Sequence, residues 1–328
     1  MNCNKRKWLC AFVISAICIA VGGLLFLKID QTLCEKTSRD RMADFVENTY
    51  DKDILFIGTS HISNAVMPMQ LWKEHGYSSY ICYAGYDDLA RIREILHMSL
   101  DYCSPKLIVL DVEDYWEKSD DDVLLKEWHR FQDYFPMRRA KVEAALRLYR
   151  GNAKEILFPL IAYHDRWKEL DADDFTTSYG TSDKGSIMME KTEPADGFAV
   201  YPDAVSDTAD GYGLPILDEF DAECKALGID VLYMTVPYTM DYDTQARFSA
   251  LGSYLTERGC KYLNLMQENL VDPNTDFYND SHLNISGAAK ITKYLGDYIG
   301  GNYDLPQHTD DAVGKILQCD YETGEEQD

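Results

Sequence analysis

The chain has 328 residues and a formal net charge of −24, long enough for one large or two modest domains with a sizeable core. So acidic a surface excludes phosphate-backbone partners, so no nucleic acid is expected. It also disfavours polyanionic ligands wherever the field is not locally reversed.

Residues 1–7 carry Lys5, Arg6 and Lys7, and Trp8–Leu27 (WLCAFVISAICIAVGGLLFL) follows without a charge. That run is long enough to cross a bilayer core. The basic flank predicts a cytoplasmic N-terminus, with everything after Lys28 outside the cell membrane. A cleaved signal peptide would have a shorter apolar stretch and a small-x-small site, which is missing after Leu27. Ile17 before Cys18 does not suit a lipoprotein site. The expectation is an uncleaved single-pass anchor over 8–29 and a stalk over 30–52, helical in Thr37–Tyr50.

Asp53–Asn64, DILFIGTSHISN, reads as a buried strand that turns at Gly58 and hands over to a helix at Ser60. Met67–His75 is predicted as a helix and Ser79–Cys82 as a second strand, ending at Tyr83-Ala84-Gly85-Tyr86. Asp87–Asp101 has a helical stripe of Leu89, Ile92, Ile95, Leu96 and Leu100. Lys106–Val112 is a third buried strand. The acidic stretch Glu113–Asp122 behind it reads as a solvated loop rather than a site for a hard cation, and no metal or cofactor is expected.

From Tyr115 to Gly213 the alternation of strand and helix lapses, which marks 115–213 as an inserted cap. Val123–Arg150 is helix-rich and interleaves aromatic and basic residues, a face for an anionic ligand, lipid headgroups or solvent. Ile156–Leu170 carries His164, Arg166 and Trp167, candidates for a pocket mouth. Asp171–Tyr212 reads as an extended lid or β-rich flap. The alternation then resumes: helix Leu214–Leu227 closed by Gly228, strand Asp230–Val236, helix Asp243–Arg258 and strand Tyr262–Leu265. Asp276–Gly287, DFYNDSHLNISG, is a loop before the helix Ala288–Ile299. The segment 303–328 lacks apolar periodicity and reads as a disordered acidic tail. The nine cysteines have no zinc or Cys-x-x-Cys spacing and suggest no pairing.

In an open α/β sheet, ligands bind beyond the carboxyl ends of the strands. Ser60 sits there as a candidate nucleophile, or as a plain helix cap together with Ser63. His282 is a candidate base, and an acid beside it would fix its tautomer. Asp280 is the expected acid, with Asp276 as the alternative. His61, Asp276, Asn279, His164 and Arg166 are secondary pocket candidates.

On the Gly-Thr-Ser-His block and the Ser-His-Leu-Asn block followed by Gly287, the chain resembles the SGNH (GDSL-type) hydrolase superfamily. Thr59 stands where the family usually has aspartate, and Asn279 where it most often places the acid three residues before histidine. Asp280 would then serve, in the Asp-x-His arrangement of related alginate-modifying acetyltransferases. The family's asparagine block after the third strand is replaced by Asp111-Val112-Glu113-Asp114. The resemblance implies a three-layer α/β fold with a parallel five-stranded sheet of flavodoxin-like order, built from 53–114 and 214–302. It also implies an oxyanion hole from the backbone N–H groups of Ser60 and Gly85.

The α/β-hydrolase fold fits less well, because Ile62 occupies its second glycine position. The function expected is an extracytoplasmic serine esterase or O-acyltransferase acting on acyl esters of envelope glycans or glycolipids. The alternative is a catalytically inactive accessory protein that partners a membrane O-acyltransferase or an envelope glycan. A glycan-binding sensor or adhesin is a third possibility.

Overall fold

The structure, a computed structural model, describes residues 3–34, 36–48, 50–83, 89–113, 115–116, 118, 121–175, 184–206 and 208–325. In chain order come α1 (Cys3–Leu33), α2 (Lys36–Glu47), β1 (Ile54–Gly58), α3 (Ser60–Ala65), α4 (Pro68–His75), β2 (Ser79–Tyr83), α5 (Ile92–Ser99) and β3 (Leu107–Asp111). The insertion contributes α6 (Asp121–Gln132), α7 (Arg139–Leu148), α8 (Ala153–Leu157) and α9 (Pro159–Ala162). Then follow α10 (Leu214–Leu227), β4 (Asp230–Thr235), α11 (Tyr242–Glu257), β5 (Lys261–Asn264), β6 (Phe277–Asn279), β7 (His282–Leu283), α12 (Ile285–Asn302) and α13 (Ala312–Glu325).

Strands β1 to β5 form one parallel sheet in the order β2-β1-β3-β4-β5. Successive side chains of a strand point to opposite faces, and both faces here are covered. Leu55 and Ile57 of β1, with Ile108 and Leu110 of β3, enter one apolar cluster beneath α2, α5, α6, α7, α10 and α11. Ile54 and Phe56, with Leu107 and Val109, enter a second beneath α3, α4 and α12. Continuous apolar runs such as ILFIG and LIVLD therefore suit this sheet, which has no wet face to demand alternation.

Three expectations need correction. The predicted stalk is α2, and Met42, Ala43 and Phe45 on it are fully buried in the first cluster; the helix belongs to the domain. The insertion is not a separate cap, because Trp128, Phe131, Ala144, Ala145 and Ile156 join the same cluster and thicken one layer. The predicted disordered tail holds α13, whose Leu317 packs with Tyr50, Met69 and Trp72.

Polar contacts fasten that C-terminal segment. The Trp72 indole N–H donates to the His308 carbonyl at 2.6 Å, and His308 Nε2 lies 2.6 Å from Asp53 Oδ2. Lys184 is fully buried, with its Nζ 3.0 Å from Asp44 of α2 and 2.6 Å from Asp320 of α13. The strands predicted as possible within the flap are absent among the described residues of 184–206, which run as an irregular strap across the second layer.

Helix α1 contains Lys7–Asp30, a span of 24 residues with mean hydropathy 2.7 and none of its apolar window buried. By length and composition it is apolar enough to cross a membrane, a test that an N-terminal signal sequence also passes.

Candidate active site

The site grows from the carboxyl ends of β1 and β3. At Gly58, the last residue of β1, an added Cβ would stand 2.6 Å from the Asp111 Cβ, so only glycine lets the two strand ends approach this closely. Thr59 is the N-cap of α3 and its hydroxyl accepts the His61 N–H at 3.1 Å. Ser60 thereby becomes the first residue of a helix that starts at the sheet edge, half-buried and facing the crevice.

The opposite wall is a small antiparallel hairpin, β6 and β7, immediately before α12. Asn284 caps α12 by accepting from the Ser286 and Gly287 N–H groups, and its amide donates to the Thr275 carbonyl at 2.8 Å. At Gly287 a Cβ would lie 2.4 Å from the Asp276 carbonyl oxygen. Asp276 is fully buried and accepts from the Asp272 N–H, the Ser286 hydroxyl and Lys290. Burial, which would raise its carboxyl pKa, is outweighed by these donors, and the carboxyl stays below its ordinary range. Its place is the foundation of the hairpin.

The hairpin and α3 meet at Ser60 and His282. The Ser60 hydroxyl oxygen is 2.8 Å from His282 Nε2, across 222 residues of sequence. On the far side of the ring, Nδ1 lies 3.1 Å from Asn279 Oδ1. The same oxygen accepts the backbone N–H groups of Ser281 and His282, both at 2.9 Å. A backbone N–H can only donate, so these two bonds set which way round the Asn279 amide lies. Its oxygen must then face Nδ1, which in the neutral ring carries the proton. Nε2 is left with its lone pair toward the serine hydroxyl, the tautomer a general base requires. Burial lowers the His282 pKa first, and neighbouring His61 lowers it further against the opposing pull of Glu113.

Asp280, the expected orienting acid, does not fill that role geometrically. Asn279 and His282 are paired across the hairpin and share a face, whereas Asp280 lies in the turn between them. Its carboxylate accepts the Asp196 N–H at 3.1 Å and its carbonyl accepts the Thr239 N–H at 2.8 Å. It ties the turn to the strap and to the loop after β4.

Behind the serine is a polar group that joins the pocket candidate His61 to Glu113, the first residue of the stretch expected to be a solvated loop. His61 Nδ1 is 2.7 Å from Glu113 Oε2, and the Thr59 hydroxyl is 2.8 Å from the same oxygen and 3.4 Å from Asp111 Oδ2. The His61 ring centroid stands 4.6 Å from that of Tyr238 and 5.3 Å from that of His282. One ligand atom each from His61, Asp111 and Glu113 falls within 4.8 Å of the others, a set able to hold a cation with oxygen and imidazole donors. Glu113 was legible in principle, since it follows β3 at the level where Ser60 follows β1.

The strap joins the two walls. The Ile187 N–H donates to the Ser63 carbonyl at 2.8 Å, and Asn64 donates to the Ile187 carbonyl at 2.5 Å. Further along, the Ile285 N–H donates to the Met189 carbonyl and the Glu193 N–H to that of Phe277, both at 2.9 Å.

Gly85, the expected second oxyanion donor, lies outside the described residues. His164 and Arg166 are elsewhere, on a short 3-10 turn packed against α1. His164 contacts the Ile161 carbonyl and Asp165, and Arg166 donates to the last carbonyls of α1.

No protein-family model matches the sequence, and no curated protein matches it either. Among solved structures, a Bacteroides fragilis protein provisionally named an acylhydrolase aligns with a TM-score of 0.38 and 12% identity. That alignment covers 81% of this chain and 98% of the other.

Proposed function

We propose that this chain is a serine-dependent acyl-ester hydrolase or O-acyltransferase whose reacting groups are Ser60 and His282, with Asn279 in place of the usual acid. The observation that carries this reading is the continuous chain Ser60 Oγ, His282 Nε2, His282 Nδ1, Asn279 Oδ1, at 2.8 and 3.1 Å. A serine acting only as a helix cap has no need of an imidazole held in the basic tautomer. The parallel order β2-β1-β3-β4-β5, with the serine after the first strand and the histidine before the last sheet-covering helix, adds support for the SGNH likeness.

In this reading His282 Nε2 removes the hydroxyl proton as Ser60 Oγ bonds to the ester carbonyl carbon. The oxyanion is held by the Ser60 backbone N–H at the start of α3. When the tetrahedral intermediate collapses, His282 returns the proton to the departing alcohol. Water or an acceptor hydroxyl then resolves the acyl-serine by the same steps in reverse. A carboxamide orients the imidazole but lends the imidazolium less electrostatic support than a carboxylate. Neutral His282 with a lowered pKa suits a base that spends its resting state unprotonated.

Helix α1 serves as the anchor, with Lys5, Arg6 and Lys7 on the cytoplasmic side and the catalytic domain outside. The substrate class this favours is acyl esters on envelope glycans or glycolipids. The net charge of −24 argues for neutral or cationic ones over polyanions.

One observation favours a second reading. Asp111 and Glu113 put carboxylates where the resembled family keeps a neutral donor, which suits a binding module beside a membrane O-acyltransferase. Labelling of the detergent-solubilised full chain by a serine-directed fluorophosphonate, with aryl-ester turnover, separates the two. Labelling and turnover that vanish in Ser60→Ala support the enzyme. No labelling and no turnover in the parent leave the binding module.

A further inference from the structure

The insertion leaves a group of apolar side chains uncovered around the exit of α1. Phe158, Ile161, Trp167 and Phe175 are 37%, 41%, 64% and 62% exposed. They are not scattered, because α9 and the 3-10 turns His164–Lys168 and Ala172–Phe175 all pack against α1.

Polar bonds hold these turns to the helix at a defined height. Asp30 Oδ1 accepts the Leu160 N–H at 2.7 Å. The Arg166 guanidinium donates to the carbonyls of Leu33 and Cys34 at 3.1 and 2.7 Å, and pairs with Asp174 at 2.5 Å. Leu33 is the last residue of α1 and Cys34 follows it, and at such a helix end acceptors are otherwise unsatisfied and a cation is favoured. The Phe158 ring meets the Phe26 ring edge-on, with centroids 6.3 Å apart.

The apolar run Trp8–Leu27 spans about 30 Å at 1.5 Å per residue, one hydrocarbon thickness. Phe26 is therefore at the outer edge of that thickness, and Phe158 beside it is at the same depth. Lys28 comes next on α1 and Lys168 follows Trp167, which puts ammonium groups at headgroup level. Trp167, with an apolar body and one N–H, is a side chain that favours this boundary.

We propose that the segment 158–175 is a membrane-interface collar: it inserts Phe158, Ile161, Trp167 and Phe175 into the outer boundary of the bilayer around α1. The inference rests on reading α1 as an anchor, and the occupant is the lipid surface itself. A second protein would have to share this depth with the acyl chains surrounding Phe26. The collar gives the domain a second, off-axis point of attachment, so that it cannot pivot freely on a single helix.

The test uses the full chain carrying Trp8→Phe, reconstituted in vesicles whose lipids are brominated high on the acyl chains. The expected result is a chain that stays with the vesicles after an alkaline wash and shows blue-shifted, bromine-quenched emission. Adding Trp167→Phe removes that quenching, whereas adding Trp116→Phe leaves it. A vesicle-bound chain whose quenching is unchanged by Trp167→Phe overturns the collar and leaves the anchor standing. A chain released by the wash overturns the anchor reading and the collar with it.

Discussion

Asn279 and His282 face one another across a two-strand hairpin, with the carboxamide oxygen 3.1 Å from Nδ1 of the ring. Two backbone N–H groups hold that oxygen in place, so the imidazole is oriented by a neutral group whose polarity cannot be reversed by an amide flip. Replacing Asn279 by aspartate adds a negative charge in contact with the ring and favours its protonated form. The acid limb of kcat/KM is expected to move to higher pH by about 1 unit in Asn279→Asp. Asn279→Ala is expected to lower kcat by about 10²-fold with little change in KM. A pH profile of the two variants beside the parent checks both.

The parent's own pH dependence follows from the buried ring. In the proposed mechanism the active form is the neutral imidazole, and burial together with His61 lowers the His282 pKa below its ordinary value. Activity is therefore expected to rise with an apparent pKa below about 6.5 and to be complete at neutral pH. An acid limb centred above that value would contradict the assignment of His282 as base.

Gly58 gives a prediction about geometry alone. A methyl group there would collide with the Asp111 side chain at 2.6 Å, forcing apart the strand ends that carry Thr59 and Glu113. Gly58→Ala is expected to destabilise the fold by about 1–3 kcal/mol and to lower kcat by about 10²-fold through misplacement of Ser60. Urea titration and steady-state kinetics on the same preparation read the two effects separately.

Lys184 links the first helix of the domain to the last one. Removing its charge in Lys184→Met leaves Asp44 and Asp320 without the cation that both contact, and burial already raises the Asp44 pKa. A loss of about 3–5 kcal/mol is expected. Adding Asp44→Asn to that variant should recover part of it, which denaturant melts of the single and double variants would reveal.

Much of the sheet was readable from residue order, because strands buried on both faces, β1 and β3 above all, are nearly uninterrupted apolar runs. The hairpin was not, since three and two residues are too few to show any period. That omission explains the choice of Asp280 over Asn279: carboxylate chemistry was weighed without knowing which side chains share a face. Helix α13 was hidden because Val313, Leu317 and Tyr321 repeat every four residues within an otherwise polar stretch. The polar Thr37–Tyr50 segment reads as a stalk by composition, because the apolar residues that seat it, Met42, Ala43, Phe45 and Val46, are confined to little more than one helical turn. Glu113 was read with its acidic neighbours rather than with the strand before it.

The strap from Ile187 to Glu193 bonds to the serine-bearing helix at one end and to the histidine-bearing hairpin at the other. Neither wall is thus positioned by the sheet alone. A ligand or partner that tugged on this run would carry Ser60 and His282 together and preserve their separation, whereas severing the run would let each drift on its own. Control over the crevice resides in a stretch with no repeating structure, the part of a fold most easily altered without disturbing the core.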